Sequence, residues 1–188
     1  MVNTINKKEL ILLDKKTMLE KATHFHGHTC GGLLIGVSAA HYAMELLETE
    51  GSSKDEEIVC VAENDSCSVD AIQSLLGCSA GKGNLIFRMR GKQAFSFFNR
   101  QTGKSFRIVL KDLDFSNPEE KRDFMLNARG EDIFDVKEVP FDLPPKAKIY
   151  KSKRCPLCGE LTAEPWLRVQ CGKEICIDCF QNNDPLVR

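Results

Sequence analysis

Nine cysteines constrain this chain of 188 residues more than any other feature. Four lie in the first half, five crowd between 155 and 179, and none lies between 79 and 154. The amino-terminal stretch MVNTINKKELILLDKK has only a short apolar run flanked by charges, unlike a signal peptide, so we expect the cytoplasm. Disulfides are rare in that reducing compartment, so metal ligation or reactive thiols are the expected roles of the cysteines.

Composition excludes several other classes of protein. Apolar residues make up 42% and charged residues 28%, which argues against a disordered chain. The net charge of −1 argues against whole-chain electrostatic binding of nucleic acid. No apolar run reaches the ~18 residues of a membrane span. Pro140, Pro144 and Pro145 precede the second cysteine cluster, and prolines disfavour regular pairing, so we expect domains at 1–145 and 146–188.

The carboxy-terminal cysteines have the spacing of a structural zinc site. Cys155-Pro-Leu-Cys158 is followed, 17 residues later, by Cys176-Ile-Asp-Cys179. Four thiolates complete the tetrahedral shell of zinc, so this finger is expected to be structural. Its order of elements resembles a treble-clef finger. Cys171 is a spare that could replace one ligand, and a redox CxxC or unrelated buried cysteines are the alternatives.

A basic run, KAKIYKSKR at 146–154, precedes the finger. It favours either a nucleic-acid contact or, more simply, a solvated linker.

A second constellation lies in the stretch His24-Phe-His26-Gly-His28-Thr-Cys30. In extended chain, His26, His28 and Cys30 point to one side because side chains alternate, which favours a metal site. Cys30 precedes the predicted helix 31–49, whose amino terminus should lower the pKa of its thiol. The alternative is a loop that joins two helices and leaves its histidines solvated.

Further candidate ligands follow the predicted buried strand 57–64. Cys67 lies between this strand and a predicted helix at 68–77, and Asp70 could orient a ligand from that helix. Cys78 lies 11 residues after Cys67, so both can reach one metal only if the chain reverses at Gly77. The stretch GCSAGKGN at 77–84 favours a structural turn, with a phosphate-binding turn as the alternative.

The remaining pattern indicates an α+β fold. We predict one more helix at 8–23 and another that begins at Asn117 as N-cap with Pro118 at N1. Residues 84–91 and 92–100 read as a β-hairpin around Gly91, and a turn at 102–103 leads to a strand at 104–111.

Taken together, these residues resemble FmdE, a family named after formylmethanofuran dehydrogenase. The matching stretches are FHGHTCGGLLIG, ENDSCSVDAIQSLLGCSAGKGNL and GKQAFSFFNRQTGKSFRI, in the family's order, over roughly 17–115. Gly31 departs from the proline that the family pattern leads us to expect. The resemblance implies a thioredoxin-like α+β core with a mixed β-sheet flanked by helices, a homodimer, and a metal-binding active site.

The sequence and the resemblance lead to one favoured function. We expect a metal-binding enzyme or accessory subunit linked to a molybdenum or tungsten formylmethanofuran dehydrogenase, acting on an unknown small molecule. The core ligands of zinc or another transition metal would be His28, Cys67 and Cys78, and the catalytic candidates are Cys30, His26 and Asp70. A metal chaperone or adaptor that docks through the zinc finger is the alternative, and a nucleic-acid-binding regulator is less favoured.

Overall fold

The computed structural model describes residues 15–49 and 52–181, and it divides the chain into two compact units, Met1–Ala147 and Lys148–Arg188. Across the described residues, no helix has the length and apolar character required to traverse a bilayer.

The first unit combines five helices with five strands. The helices are α1 (Lys15–His26), α2 (Gly31–Leu47), α3 (Ser68–Leu76), α4 (Pro118–Asn127) and α5 (Gly130–Ile133). The strands are β1 (Ile58–Ala62), β2 (Leu85–Phe87), β3 (Ala94–Asn99), β4 (Ser105–Leu110) and β5 (Phe134–Lys137). The helices predicted at 31–49, at 68–77 and from Asn117 are therefore present. The helix predicted at 8–23 lies partly outside the described residues.

The five strands form one mixed sheet in the order β2-β1-β3-β4-β5. β1 and β2 are parallel, with Cys60 opposite Leu85, while β3 runs antiparallel to the other edge of β1. The predicted hairpin around Gly91 is therefore wrong, because β1 lies between its two strands. β1 is buried along its whole length and takes an interior position, where both neighbours cover its backbone. The predicted turn at 102–103 does join β3 to β4.

The two faces of this sheet are covered differently. Side chains that alternate to one face, including Cys60, Phe97 and Ile108, join the large core formed with the helices. On the opposite face, Val59, Val61 and Phe98 form a smaller cluster, which Val139 and Phe141 cover. The α+β class with a mixed sheet is thus confirmed, and the thioredoxin-like assignment stays a prediction.

Helix α2 crosses α3 at very short range. α2 is buried along most of its length, and two of its residues, Gly32 and Gly36, face α3. A Cβ atom on Gly36 would lie well inside contact distance of the Ser68 carbonyl, and one on Gly32 would lie 3.1 Å from Cys67 Cβ. Only glycine therefore permits this crossing, which sets the position of Cys67 relative to the start of α2.

The second unit consists of two small antiparallel ribbons. β6 (Ser152–Arg154) pairs with β7 (Leu161–Ala163), a short 3₁₀ turn follows at Glu164–Trp166, and β8 (Leu167–Gln170) pairs with β9 (Lys173–Cys176). Its buried cluster among the described residues consists of Cys155, Ile175 and Cys176. A core this small does not stabilise about 40 residues without a disulfide or a metal.

The crossing of α2 over α3 can be tested with one methyl group. We expect Gly36→Ala to lower the free energy of unfolding by about 3 kcal/mol, since the methyl group meets backbone and forces the helices apart. Gly81→Ala is the matched control, because its Cβ would meet no atom within 4 Å. Urea unfolding followed by far-UV circular dichroism measures both, and equal stability of the two variants would refute the close packing.

Candidate metal centres

The turn between α1 and α2 brings three potential ligands together. His26 is the last residue of α1, and Gly27, with φ of 93°, adopts the left-handed conformation that reverses the chain. Cys30 then caps α2, its Sγ accepting a hydrogen bond from the Leu33 N–H at 3.4 Å. As a result, ligand atoms of His26, His28 and Cys30 lie within 4.8 Å of one another.

Asp70 orients His26 from the first turn of α3. Its Oδ2 lies 2.7 Å from His26 Nδ1, and this hydrogen bond raises the pKa of the imidazole. The other carboxylate oxygen of Asp70 accepts a hydrogen bond from Gln73 Nε2 at 3.1 Å. His26 Nε2 in turn lies 4.0 Å from Cys30 Sγ. With Nδ1–H donating to Asp70, Nε2 keeps its lone pair free for a metal.

Cys30 has the environment of a reactive or metal-binding thiol. Partial burial opposes its ionisation, but hydrogen bonds from the Leu33 N–H and the Cys67 thiol outweigh that effect and lower the pKa of Cys30. The direction agrees with the prediction made from its place at a helix amino terminus. The Cys67 pKa is raised, because its thiol proton is held in the hydrogen bond to Cys30.

A polar network holds the loop that presents Cys67. Asn64 Oδ1 accepts hydrogen bonds from the hydroxyls of Ser66 and Ser68, and its Nδ2 donates to the Lys92 carbonyl. Gln93 Nε2 donates to the Ser66 hydroxyl at 2.8 Å.

Sequence reasoning singled out Cys67 and Asp70 but missed two glutamines that support them, Gln73 and Gln93. Gln73 had a signal, since it lies one helical turn after Asp70. Gln93 lies on a distant segment of the chain and had none.

Cys78, predicted as a core ligand, lies apart from these residues. Its side chain is fully buried in the core, its Sγ contacts the Ile58 carbonyl at 3.5 Å, and burial raises its pKa to about 12. The following turn is held by Asn84, whose side chain bonds Ser79 N–H and the Ile58 carbonyl. Lys82 Nζ donates to the Ser53 carbonyl at 2.9 Å. These contacts give the turn a structural role.

Two cavities adjoin the first centre. One, of about 260 Å³, is bordered by His26, Cys67, Asp70, Gln73 and the half-exposed ring of Phe87. The other, of about 280 Å³, reaches Cys30 and is bordered by Leu34, Lys121 and Arg122. A small molecule therefore has space beside both Cys30 and His26.

The second centre consists of the four predicted cysteines of the finger. The sulfur atoms of Cys155, Cys158, Cys176 and Cys179 lie within 4.8 Å of one another. Cys158 Sγ and Cys176 Sγ are 3.7 Å apart. Two thiolates on a tetrahedral zinc ion, each at about 2.3 Å, would be separated by about 3.8 Å. The arrangement therefore fits a zinc ion without rearrangement of the backbone.

Backbone groups and charge also favour a cation at this second centre. Hydrogen bonds from the Cys176 and Cys158 N–H groups lower the pKa of Cys155 to about 6. The pKa of Cys179, by contrast, is raised to about 12, first by its hydrogen bond to Cys176. Four thiolates at this separation repel one another unless a cation compensates their charge.

Cys171 is not a member of this group of four. It is exposed and lies at the tip of the β8–β9 turn with φ of 50°, in the left-handed region. Its place in the turn leaves the metal geometry to the two CxxC pairs.

Comparison with known proteins agrees with these residues. The family model of FmdE, described as belonging to the molybdenum formylmethanofuran dehydrogenase operon, matches residues 25–135, more than half of the chain. This chain belongs to the FmdE family. The match includes His26, His28, Cys30, Cys67 and Asp70.

Two relatives extend the comparison. A crystal structure of an FmdE-like protein of tungsten formylmethanofuran dehydrogenase, from Syntrophus aciditrophicus, superimposes with a TM-score of 0.62 at 25% identity, over 94% of this chain and 96% of that chain. A probable S-adenosyl-L-methionine-binding protein of Archaeoglobus fulgidus is 28% identical over 194 aligned positions. The alignment covers 86% of this chain and 52% of that protein, so the chain spans about half the length of this curated relative.

The dependence of the second unit on metal can be tested by proteolysis. We expect a chelator to raise the rate of tryptic cleavage at Arg168 and Lys173 more than about tenfold, because the unit has too small a core to stay folded without a cation. Cleavage at Arg107, which lies in β4 of the other unit, is the internal control. Mass spectrometry of zinc-loaded protein, with and without chelator, measures both rates. Unchanged cleavage at Arg168 would contradict the prediction.

Proposed function

We propose that this FmdE-family protein holds zinc at two centres and acts as an accessory or enzyme subunit beside a molybdenum or tungsten formylmethanofuran dehydrogenase. The finger would be a closed, structural centre of four cysteines. The first unit would hold an open centre, made by His26, His28 and Cys30, that binds a small molecule or a thiol. The family name supports the enzyme partner, and the donor atoms support the metal.

The arrangement of His26 is the observation that carries this proposal. Its Nδ1 is bonded to Asp70 at 2.7 Å, and its Nε2 is 4.0 Å from Cys30 Sγ. An imidazole nitrogen and a thiolate on one tetrahedral zinc would lie about 3.6 Å apart, so a small shift brings both into range. A carboxylate behind the ligating histidine is the usual support of a metal-bound imidazole.

Three protein ligands leave one coordination position open, in contrast to the four cysteines of the finger. A zinc ion with an open position acts as a Lewis acid and lowers the pKa of a bound water or thiol. In this chain, Asp70 holds the His26 tautomer, and Leu33 N–H stabilises negative charge on Cys30. The Cys67 thiol, hydrogen-bonded to Cys30, stands ready as a fourth ligand or as a proton donor at its Sγ.

Metal content tests the two centres in the full chain. We expect two zinc ions per chain in the wild type, one in Cys155→Ser/Cys158→Ser and one in His28→Ala/Cys30→Ser, by elemental analysis of anaerobically purified protein. Serine at position 30 retains an oxygen acceptor for the helix cap, so the second variant should stay folded.

Cys171→Ser is the matched control for the finger and should retain two zinc ions, since Cys171 lies outside the group of four. Two zinc ions in His28→Ala/Cys30→Ser would sink the open centre. Two in the variant of the first CxxC pair would sink the closed one.

The support from Asp70 has its own test. We expect Asp70→Asn to weaken zinc binding at the open centre by about 10–100-fold, because the amide no longer holds the histidine in its metal-binding tautomer. Competition with a chromophoric chelator measures the affinity. Asp65→Asn is the control, since Asp65 borders the same cavity but makes no hydrogen bond to His26. An affinity for Asp70→Asn within twofold of the control would exclude this role.

Metal delivery is a second candidate function, favoured by the exposure of His28. An exposed ligand allows an acceptor to replace it stepwise. Transfer of the core zinc to the chelator within seconds would favour delivery, whereas retention for hours would favour a resident centre.

A further inference from the structure

A basic pocket lies on the far side of the sheet from the helices. Its cavity of about 280 Å³ is lined by Glu63, Arg88, Arg90, Lys92, Arg107 and Pro140. Four cationic side chains thus face one carboxylate. The pocket lies at the carboxyl ends of β1 and β2, on the face that Val139 and Phe141 cover. Its side chains are not used by either metal centre.

The floor of the basic pocket is a fixed ion pair. Arg107 Nε and its terminal nitrogen donate to the two carboxylate oxygens of Glu63 at 2.6 and 2.9 Å. Glu63 is 6% exposed, and this pairing lowers the pKa of its carboxyl group. Glu63 therefore stays ionised, and Arg107 engages both of its carboxylate oxygens.

The rim carries three further cations in a held conformation. The N–H groups of Arg90 and Lys92 both donate to the Glu63 carbonyl, at 2.9 and 3.3 Å, and the Arg88 N–H donates to the Ala62 carbonyl. Gly91, with φ of 65°, makes the tight turn between the two basic residues. The Arg88 guanidinium lies 4.6 Å from the centre of the Phe141 ring, which restricts its position.

These rim cations have no carboxylate of their own. Among residues 15–49 and 52–181, none of Arg88, Arg90 and Lys92 forms a salt bridge. Holding three like charges around one cavity is unfavourable unless an anion compensates them. Two of the three are guanidinium groups, whose planar donors match the oxygens of a phosphoryl group.

We propose that the basic pocket binds a small phosphorylated molecule through its phosphoryl group. A dianionic phosphoryl group matches several cations better than a single carboxylate does. The cavity is at the lower end of the range for small-molecule sites, so it would hold the phosphoryl group while the rest of the ligand projects outward. Nucleic acid is less favoured, since it needs an extended basic track and the whole chain has a net charge of −1.

Inorganic phosphate is the probe for a first test in the full chain. At constant ionic strength, added phosphate should shift the backbone amide NMR signals of residues 88–92. We expect Arg88→Gln/Arg90→Gln to weaken this binding about tenfold or more, since it removes two charged donors. Lys54→Gln is the control, because Lys54 is exposed and precedes the other end of β1, and it should stay within twofold of wild type.

Two more measurements separate the explanations. Glu63→Gln keeps a hydrogen-bond acceptor for Arg107 but frees its charge, so phosphate binding should tighten several-fold. The variant His28→Ala/Cys30→Ser should bind phosphate as wild type does, which shows that the pocket acts independently of the open metal centre.

Three results would overturn the proposal. Equal weakening in Lys54→Gln would mean that binding follows net charge alone. Acetate that binds as tightly as phosphate at the same ionic strength would remove the preference for a phosphoryl group. Shifts at 88–92 with a single-stranded oligonucleotide, but none with phosphate, would assign the surface to nucleic acid.

Discussion

The close crossing of α2 and α3 is the contact on which the first metal centre depends. Gly32 and Gly36 lie one helical turn apart and let the backbone of α3 approach α2 closely. This crossing sets Cys67 beside Cys30 and places Asp70 within hydrogen-bond distance of His26. The three ligand candidates lie on a single turn of chain, but the carboxylate that orients them comes from 44 residues later.

The two centres reach their geometry by opposite routes. In the first unit, a large core and two buried helices position the side chains, so the ligands are arranged by packing alone. In the second unit, only three buried residues among those described support four sulfur atoms, so the cation itself must supply much of the folding free energy. This difference explains why the first centre can remain open while the second is closed. A fold that is stable without metal can leave a coordination position for a ligand, whereas a fold made by the metal uses every position.

The strand β1 links the chemistry on the two faces of the sheet. After Ala62 the chain turns toward the helices and presents Cys67, while Glu63 points to the other face and pairs with Arg107. β2 behaves similarly, since Phe87 borders the cavity of the first centre and Arg88 borders the basic pocket. Alternation along a strand therefore separates a soft-ligand site from an anionic-ligand site by the thickness of one sheet.

Local features of the chain predicted much of this arrangement. The two CxxC pairs, the cap at Cys30, the N-cap at Asn117 and the helical role of 68–77 all depend on neighbours within a few residues, so their spacing alone indicates them. The FmdE resemblance, the α+β class and the mixed sheet followed in the same way. The strand pairing did not, because Gly91 gives a strong local turn signal while the partner of β2 is a strand some 25 residues earlier. Cys78 misled for a related reason: its spacing allows a ligand, but β1 and α3 bury its thiol against the Ile58 carbonyl. Contacts between distant segments, such as Asp70 with His26 and Arg107 with Glu63, arise only when helices and strands pack, since they depend on three-dimensional distance and not on spacing along the chain.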